Sequence, residues 1–131
     1  MGAQHLDSYL LTQCLRRGPD VGLHSKLRGI NVETWRELVD RAAWHGVAPL
    51  LYHRLGLIEN LVIPPEQFVR LRDLYVHCLL MNRVILEQLS EIVRETTGAG
   101  CSVLFLKGAY LAHCVYEEAA LRPTGDIDLL A

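Results

Sequence analysis

The sequence lacks several patterns that mark common classes of protein. It contains only four cysteines in 131 residues, and they form no C-x-x-C pair and no zinc-type spacing with histidine. No apolar run approaches the roughly 18 residues that span a membrane. The N-terminus also lacks the basic region and apolar core of a secretory signal. We therefore expect a cytoplasmic protein with reduced thiols and no membrane segment.

An excess of charge of one sign is also lacking. The formal net charge is −2 and the isoelectric point is about 6.3, so no strong basic field indicates a nucleic-acid or anionic-membrane partner. The six histidines form neither H-x-x-x-H nor H-E-x-x-H, which favours surface or core-edge roles over metal ligation. The remaining composition is ordinary for one globular domain, because half of the residues are apolar and 21% are charged.

Helical periodicity dominates the first 97 residues. The apolar spacing predicts helices over residues 4–17, 32–45, 47–57 and 65–97, with a glycine-rich connection over 18–30. Asn31 is a suitable N-cap for the second of these helices. The longest helix is predicted to pack centrally through a wide stripe formed by Phe68, Leu71, Leu74, Tyr75, Cys78, Leu79, Val84, Ile85, Leu89, Ile92 and Val93. Trp35 and Trp44 are predicted core or contact residues, with base stacking as the alternative.

The last thirty or so residues follow a different pattern. An apolar run ends at Lys107-Gly108, a short helical pattern follows, and a turn leads to Asp126-Ile127-Asp128. The stretch predicts a strand at about 101–106, a helix, and a second strand at about 126–130. The chain is thus predicted to be α+β and mostly helical, with an N-terminal helical region over 1–97 and the start of a small mixed sheet over 98–131.

The two aspartates are the main candidates for chemistry. Alternate residues of a strand point to the same face, so Asp126 and Asp128 would project together while Ile127 enters the core. Two adjacent carboxylates repel each other, and a Mg²⁺ ion between them would remove the conflict. The alternative is that Asp126 is only a turn residue. That alternative explains Asp128 poorly, because a charge within an apolar strand is costly unless it is paired or bound to metal.

Lys107-Gly108 lies at a strand-to-helix turn, where free N–H groups attract anions and a lysine adds a point charge for a phosphate. These residues can share a site with the aspartates only if the two strands run antiparallel or otherwise bring those ends together. Arg122 has two interpretations, which are compatible: it pairs with Asp126 or holds the turn, or it binds nucleotide phosphates. Cys101 and Cys114 flank the site and are predicted to be buried thiols rather than nucleophiles.

The C-terminal stretch resembles the nucleotidyltransferase superfamily with a polymerase-beta-like core and, more closely, the bacterial family of uncharacterised nucleotidyltransferases. That family carries an apolar strand ending in Leu-Lys-Gly, then a tyrosine, then an arginine before Gly-Asp-Ile-Asp-Leu-Leu. The Gly-Ser usual at the turn in the superfamily is replaced by Lys-Gly, as in this subfamily. The matching residues are Leu106-Lys107-Gly108, Tyr116, Arg122 and Gly125 to Leu130.

The resemblance implies transfer of a nucleotidyl group from an NTP to an unknown acceptor, with release of pyrophosphate. Asp126 and Asp128 would be catalytic and would hold Mg²⁺ in a two-metal site. The third carboxylate of that site comes from a later strand in the superfamily and is missing from this chain. The nucleotide-binding residues that the resemblance implies are Lys107, Gly108, Arg122 and Gly125.

The chain stops at Leu129-Leu130-Ala131, inside what looks like a buried strand, and two strands alone make a marginal sheet. We therefore expect a fragment of a longer protein, inactive or nearly so by itself, that can self-associate through the exposed core of its truncated sheet. Two other functions remain open. One is a regulatory or partner-binding protein that kept the fold without catalysis, and the other is a helical interaction module built from residues 1–97.

Overall fold

The computed structural model describes residues 3–16, 18 and 22–130. The chain divides into two compact units, Met1–Tyr75 and Val76–Ala131. The predicted domain division at residue 97 stays a prediction. Across the described residues the fold is mostly helical with one small antiparallel sheet, which confirms the predicted α+β class.

The first unit is built only from helices in its described part. Its first, third and fourth helices contact one another, and their apolar faces share one core with the start of the fifth helix. Aromatic contacts add to this core, because the ring of Tyr52 lies 5.2 Å from that of Tyr75 and 5.8 Å from that of Phe68. The helices are α1 (Ala3–Leu15), α2 (Leu23–Gly29), α3 (Val32–Trp44), α4 (Ala48–Gly56) and α5 (Pro65–Gly98), which continues into the second unit.

The start of α3 shows why the helix begins where the sequence predicted. Asn31 has extended backbone, and its side-chain oxygen accepts a hydrogen bond of 2.9 Å from the backbone N–H of Thr34. That contact satisfies one of the N–H groups that the first turn leaves without an intrahelical partner. From this start, Trp35, Leu38 and Val39 fall on one buried face. The predicted cap at Asn31 is confirmed, and so is the predicted core position of Trp35.

Some expectations for the first unit are wrong. Residues 23–29 form helix α2 rather than part of a connection, and the buried side chains of Leu23 and Leu27 provide the packing that stabilises so short a helix. Trp44 is 88% exposed at the end of α3 and is no core residue. The predicted first helix matches α1 except at its end, and residue 17 lies outside the described residues.

In the second unit, α5 buries a narrower stripe than predicted. The buried residues Cys78, Asn82, Ile85 and Leu89 recur at intervals of four, three and four. This spacing keeps them on a single face of the helix. Several predicted members of the stripe are exposed instead, namely Phe68 in the first unit and Leu79, Val84 and Val93 in the second. No helix among the described residues is long and apolar enough to cross a membrane.

After α5 the chain forms strand β1 (Leu104–Leu106), helix α6 (Lys107–Cys114), a short 3₁₀ helix (Ala119–Leu121) and strand β2 (Asp128–Leu130). β1 and β2 pair antiparallel, with Leu104 opposite Leu130 and Leu106 opposite Asp128.

Both strands are shorter than predicted, and the register explains why. α6 begins at Lys107, directly after β1 ends, so β1 offers no partner to Asp126 or Ile127. At the other end, the position opposite Val103 is residue 131, which lies outside the described residues. The predicted mixed sheet is therefore a two-stranded antiparallel ribbon in the described part of the chain.

The ribbon packs on a small apolar cluster. Buried Ile85, Leu89 and Ala109 form its centre, and half-buried Phe105 and Ile127 pack against it. Each strand region thus contributes one apolar side chain to the helices α5 and α6. This packing matters because a short two-stranded ribbon is marginal without an apolar surface beneath it. An open apolar groove of about 410 Å³ adjoins the cluster and is lined in part by Leu89 and Phe105.

Candidate functional site

Antiparallel pairing brings the two sequence motifs together. Leu106 lies opposite Asp128, so Lys107, the next residue, lies beside the start of β2. The ammonium nitrogen of Lys107 is 3.1 Å from a carboxylate oxygen of Asp128. Their side chains are 75% and 35% exposed, so this ion pair adds little to stability. The geometric condition set for a shared site, that the strands run antiparallel, is met.

Lys107 also has an unusual backbone. Its φ is +50°, in the left-handed region that residues with a side chain seldom occupy. Such a conformation costs about 1–2 kcal/mol for an ordinary L-residue. It occurs where the chain changes from β1 to α6, which is also where the candidate site lies. The strained backbone of Lys107 is therefore consistent with a functional role for this position rather than a stabilising one.

Gly108 is close to the loop that precedes the aspartates. A Cβ atom at position 108 would lie 3.3 Å from the methyl group of Thr124, closer than most carbon contacts allow. The hydroxyl of Thr124 is 3.5 Å from the backbone oxygen of Gly108 and 3.4 Å from that of Arg122. Its single proton can be donated to only one of them at a time. Glycine at 108 therefore permits a close approach between the start of α6 and the loop.

Arg122 lies at the end of the 3₁₀ helix, half-buried. Its backbone oxygen accepts a hydrogen bond of 2.7 Å from the side-chain amide of Asn82 on α5. The same amide donates to the backbone oxygen of Ala119 at 2.5 Å. The Nε atom of Arg122 is buried and has no partner among the described residues. The structure thus fixes the backbone of Arg122 and leaves one of its side-chain donors unused.

The remaining candidates lie in the loop itself. Gly125 is exposed, and no heavy atom lies within 4 Å of where its Cβ would be. Asp126 is exposed and precedes β2, whereas Asp128 is its first residue and is half-buried. Ile127 between them packs into the apolar cluster. Ile127 thus enters the core as expected, whereas only one of the two aspartates, Asp128, is on the strand.

The carboxylates fit a divalent cation in their chemistry. Mg²⁺ takes oxygen ligands, and it is commonly bound through one or two carboxylates together with water and substrate phosphates. Asp126 and Asp128 could supply such a pair. No cluster of three or more His, Cys, Asp or Glu side chains suited to a metal ion occurs in the described part of the chain.

Sequence reasoning missed Asn82 and Thr124, and it misjudged two cysteines. Asn82 had a usable signal, because it continues the apolar spacing of α5 as one polar residue. Thr124 had none, since its role depends on contact with Gly108 across the fold. Cys101 and Cys114 are exposed rather than buried. Both lie at the end of a regular element or beyond it, where packing is sparse.

Comparison with known families agrees with the C-terminal motif. The model of the family described as uncharacterised nucleotidyltransferase matches residues 31–131, which is most of the chain. No curated protein and no solved structure matches the chain. The matched range includes α3 to α5 as well as the candidate site. The chain belongs to this family.

Proposed function

We propose that this member of the uncharacterised nucleotidyltransferase family binds an NTP together with Mg²⁺ and transfers a nucleotidyl group to an acceptor, with a polymerase-beta-like core. The observation that carries the proposal is the contact of 3.1 Å between Lys107 and Asp128. This contact brings Lys107, from the motif typical of phosphate binding, next to Asp128, from the motif typical of metal binding. Family membership supports the reaction class but names neither nucleotide nor acceptor.

Each site residue has a role that suits its chemistry. Lys107 and Arg122 would neutralise the triphosphate, and the free N–H groups at the start of α6, near Gly108, would attract its oxygens. The backbone at Gly125, which has open space beside it, would allow phosphate oxygens to approach closely. Asp126 and Asp128 would hold Mg²⁺. When bound, the metal would activate the acceptor oxygen and stabilise the pyrophosphate leaving group. A two-metal site would need a third carboxylate in addition to this pair.

The ion pair suggests how the site accepts its ligand. Lys107 is three-quarters exposed, so its flexible side chain can turn from Asp128 to a phosphate at little cost. That exchange would free the carboxylate of Asp128 for the cation that accompanies the nucleotide. Lys107 would thus neutralise Asp128 in the empty site and the triphosphate in the filled one.

The same contact also favours a second function. If Lys107 stays on Asp128, the pair is a permanent substitute for a metal ion, and the fold serves as a non-catalytic regulatory or protein-interaction module. The two functions differ in one respect that can be measured. Only the transferase requires Mg²⁺-dependent nucleotide binding that depends on Asp126 and Asp128.

The test is isothermal calorimetry of each of the four common ribonucleoside triphosphates with and without Mg²⁺. Binding is measured before turnover because we propose that turnover needs the third carboxylate. We expect Mg²⁺-dependent binding that weakens at least about tenfold, or 1.4 kcal/mol, in Asp126→Asn and in Asp128→Asn. Asp73→Asn is the matched control, because Asp73 is an exposed aspartate of the first unit whose carboxylate pairs with the neighbouring Arg72.

Three results would contradict the transferase. The first is no binding by the folded wild-type chain, the second is binding that ignores Mg²⁺, and the third is an equal loss in Asp73→Asn. The first of these would move the assignment to the non-catalytic module. Where binding is present, release of pyrophosphate is the direct measure of transfer.

A further inference from the structure

Asn82 is a polar residue in an otherwise apolar position. It is 1% exposed on the face of α5 that also buries Cys78 and Ile85. A buried amide is costly unless it is hydrogen-bonded. An aliphatic side chain of similar size would satisfy the helix pattern better, so the amide needs a reason outside the helix.

The two hydrogen bonds of Asn82 supply that reason. Its side-chain nitrogen donates both protons, to the backbone oxygens of Ala119 and Arg122 at 2.5 and 2.7 Å. These acceptors are 37 and 40 residues away along the chain. They belong to the first residue of the 3₁₀ helix and to the residue that ends it. One side chain therefore fixes both ends of this short turn to α5.

Contacts continue from this turn to the ion pair. The oxygen of Arg122 that accepts from Asn82 also lies 3.4 Å from the hydroxyl of Thr124. Thr124 in turn packs against Gly108, which follows Lys107. This series of contacts leads from Asn82 through the loop to the start of α6, where Lys107 contacts Asp128.

We propose that Asn82 is a positioning residue that anchors the loop of Ala119 to Gly125 and thereby sets the affinity of the site for nucleotide. The inference rests on the proposed function, because it assigns the loop to nucleotide binding. Asn82 acts through Arg122 and Thr124 and touches no substrate. Its own side-chain oxygen and the Nε atom of Arg122 are both buried without a partner among the described residues. Buried polar atoms without hydrogen-bond partners are unusual in a purely structural contact.

Two substitutions separate the donors of Asn82 from its volume. Asn82→Asp keeps the shape but places acceptors against two backbone oxygens, whereas Asn82→Leu keeps the bulk and removes all polarity. The control is Leu89→Ala, which weakens the same unit through its apolar cluster and takes no part in the hydrogen bonds of Asn82. Thermal unfolding of the three variants is measured first, so that nucleotide affinities are compared at similar loss of stability.

The binding measurement uses calorimetry of Mg²⁺ and NTP with the full chain. We expect both Asn82 variants to weaken binding at least about tenfold, and Leu89→Ala to keep its affinity within about threefold despite an equal or larger fall in the unfolding temperature. Wild-type affinity in a folded Asn82→Asp protein overturns the proposal. Equal losses of affinity in Leu89→Ala overturn it too, because they would make the effect one of stability.

A second measurement needs no nucleotide. The backbone N–H groups of Leu121 and Arg122 donate to Glu118 and Ala119, and their hydrogen exchange reports on the turn. We expect at least tenfold faster exchange there in Asn82→Asp, with no change at Val115, whose N–H is bonded within the end of α6. Unchanged exchange at the turn overturns the anchoring.

The two readouts also distinguish failure of the inference from failure of the proposed function. If the wild-type chain binds no nucleotide while exchange at the turn accelerates, the transferase and the role of Asn82 in nucleotide affinity both fall, and the anchor alone remains. If the wild type binds and the variants bind equally well, only the inference falls.

Discussion

The two compact units differ greatly in the size of their apolar cores. Among the described residues, the cluster of the first unit contains thirteen buried residues, which five helices contribute. The cluster of the second contains three, with two half-buried side chains packed against it. The second unit nevertheless contains all the candidate site residues.

The contrast indicates a division of tasks. Apolar burial is the main source of stability for the first unit. The second unit depends more on specific polar contacts for its stability, such as those of Asn82. A small core tolerates the exposed loop, the positive φ and the partly satisfied polar groups that a binding site requires. Four predictions, given in order of decreasing expected effect, test this comparison.

The largest effect is expected from Leu38→Ala. Leu38 is fully buried in the core of the first unit, and removing its side chain should lower the free energy of unfolding by about 3–4 kcal/mol. Urea unfolding followed by tryptophan fluorescence is the measurement, because Trp35 lies in the same cluster. Leu57→Ala is the control at a 63% exposed position and should change stability by under about 0.5 kcal/mol. A loss below about 1 kcal/mol at Leu38 would contradict the comparison.

A smaller effect is expected from Leu89→Ala, about 2 kcal/mol, because Leu89 also borders the open groove and leaves a less enclosed cavity. Both tryptophans are in the first unit. We expect the substitution to shift the unfolding transition seen by far-ultraviolet circular dichroism more than the one seen by tryptophan fluorescence. Equal shifts of the two transitions would show that the units unfold as one and would remove the energetic distinction between them.

A still smaller effect on stability is expected at the ion pair. Asp128→Asn should change the free energy of unfolding by under about 1 kcal/mol, since the lysine partner is largely exposed. The same variant should lose Mg²⁺-dependent nucleotide binding. A stability loss above about 2 kcal/mol would make Asp128 a structural residue. Chemical denaturation and calorimetry on one preparation provide both values.

The smallest effect concerns the thiols. Burial raises the pKa of Cys78 and shields its thiol from reagents, whereas Cys101 and Cys114 are exposed. Alkylation near pH 8 should modify two thiols quickly and two slowly, and mass spectrometry of peptides identifies them. Because the pKa is higher in the folded state than in the unfolded one, the contribution of Cys78 to stability should decline as the pH rises above the usual thiol value of about 8.5. Fast labelling of Cys78 would contradict its burial.

Local signals predicted most of the helices. Asn31 caps α3 as expected, and Pro65 begins α5. Both positions follow from the backbone groups of a first turn, which depend on few residues. The sequence predicted that Lys107 and Asp128 would meet only if the two strands ran antiparallel. It could not predict the strand direction itself, because that depends on packing between distant residues.

What could not be predicted depends on contacts across the fold. β1 and β2 are shorter than predicted because of their register, which depends on both strands and is not encoded in either one alone. The exposure of Trp44 follows from the end of α3, where the helix leaves the core. The amide of Asn82 finds its partners about forty residues away. Periodicity identifies a buried face, but it does not say which backbone oxygens lie opposite that face.

The positive φ of Lys107 has a consequence for protein engineering. Glycine would adopt this backbone without strain, so Lys107→Gly is the sort of substitution that a search for stabilising changes would choose. The same substitution would delete the cation that meets Asp128. At position 107 a gain in stability would therefore oppose the proposed nucleotide binding, and variants selected only for heat resistance should be checked there first.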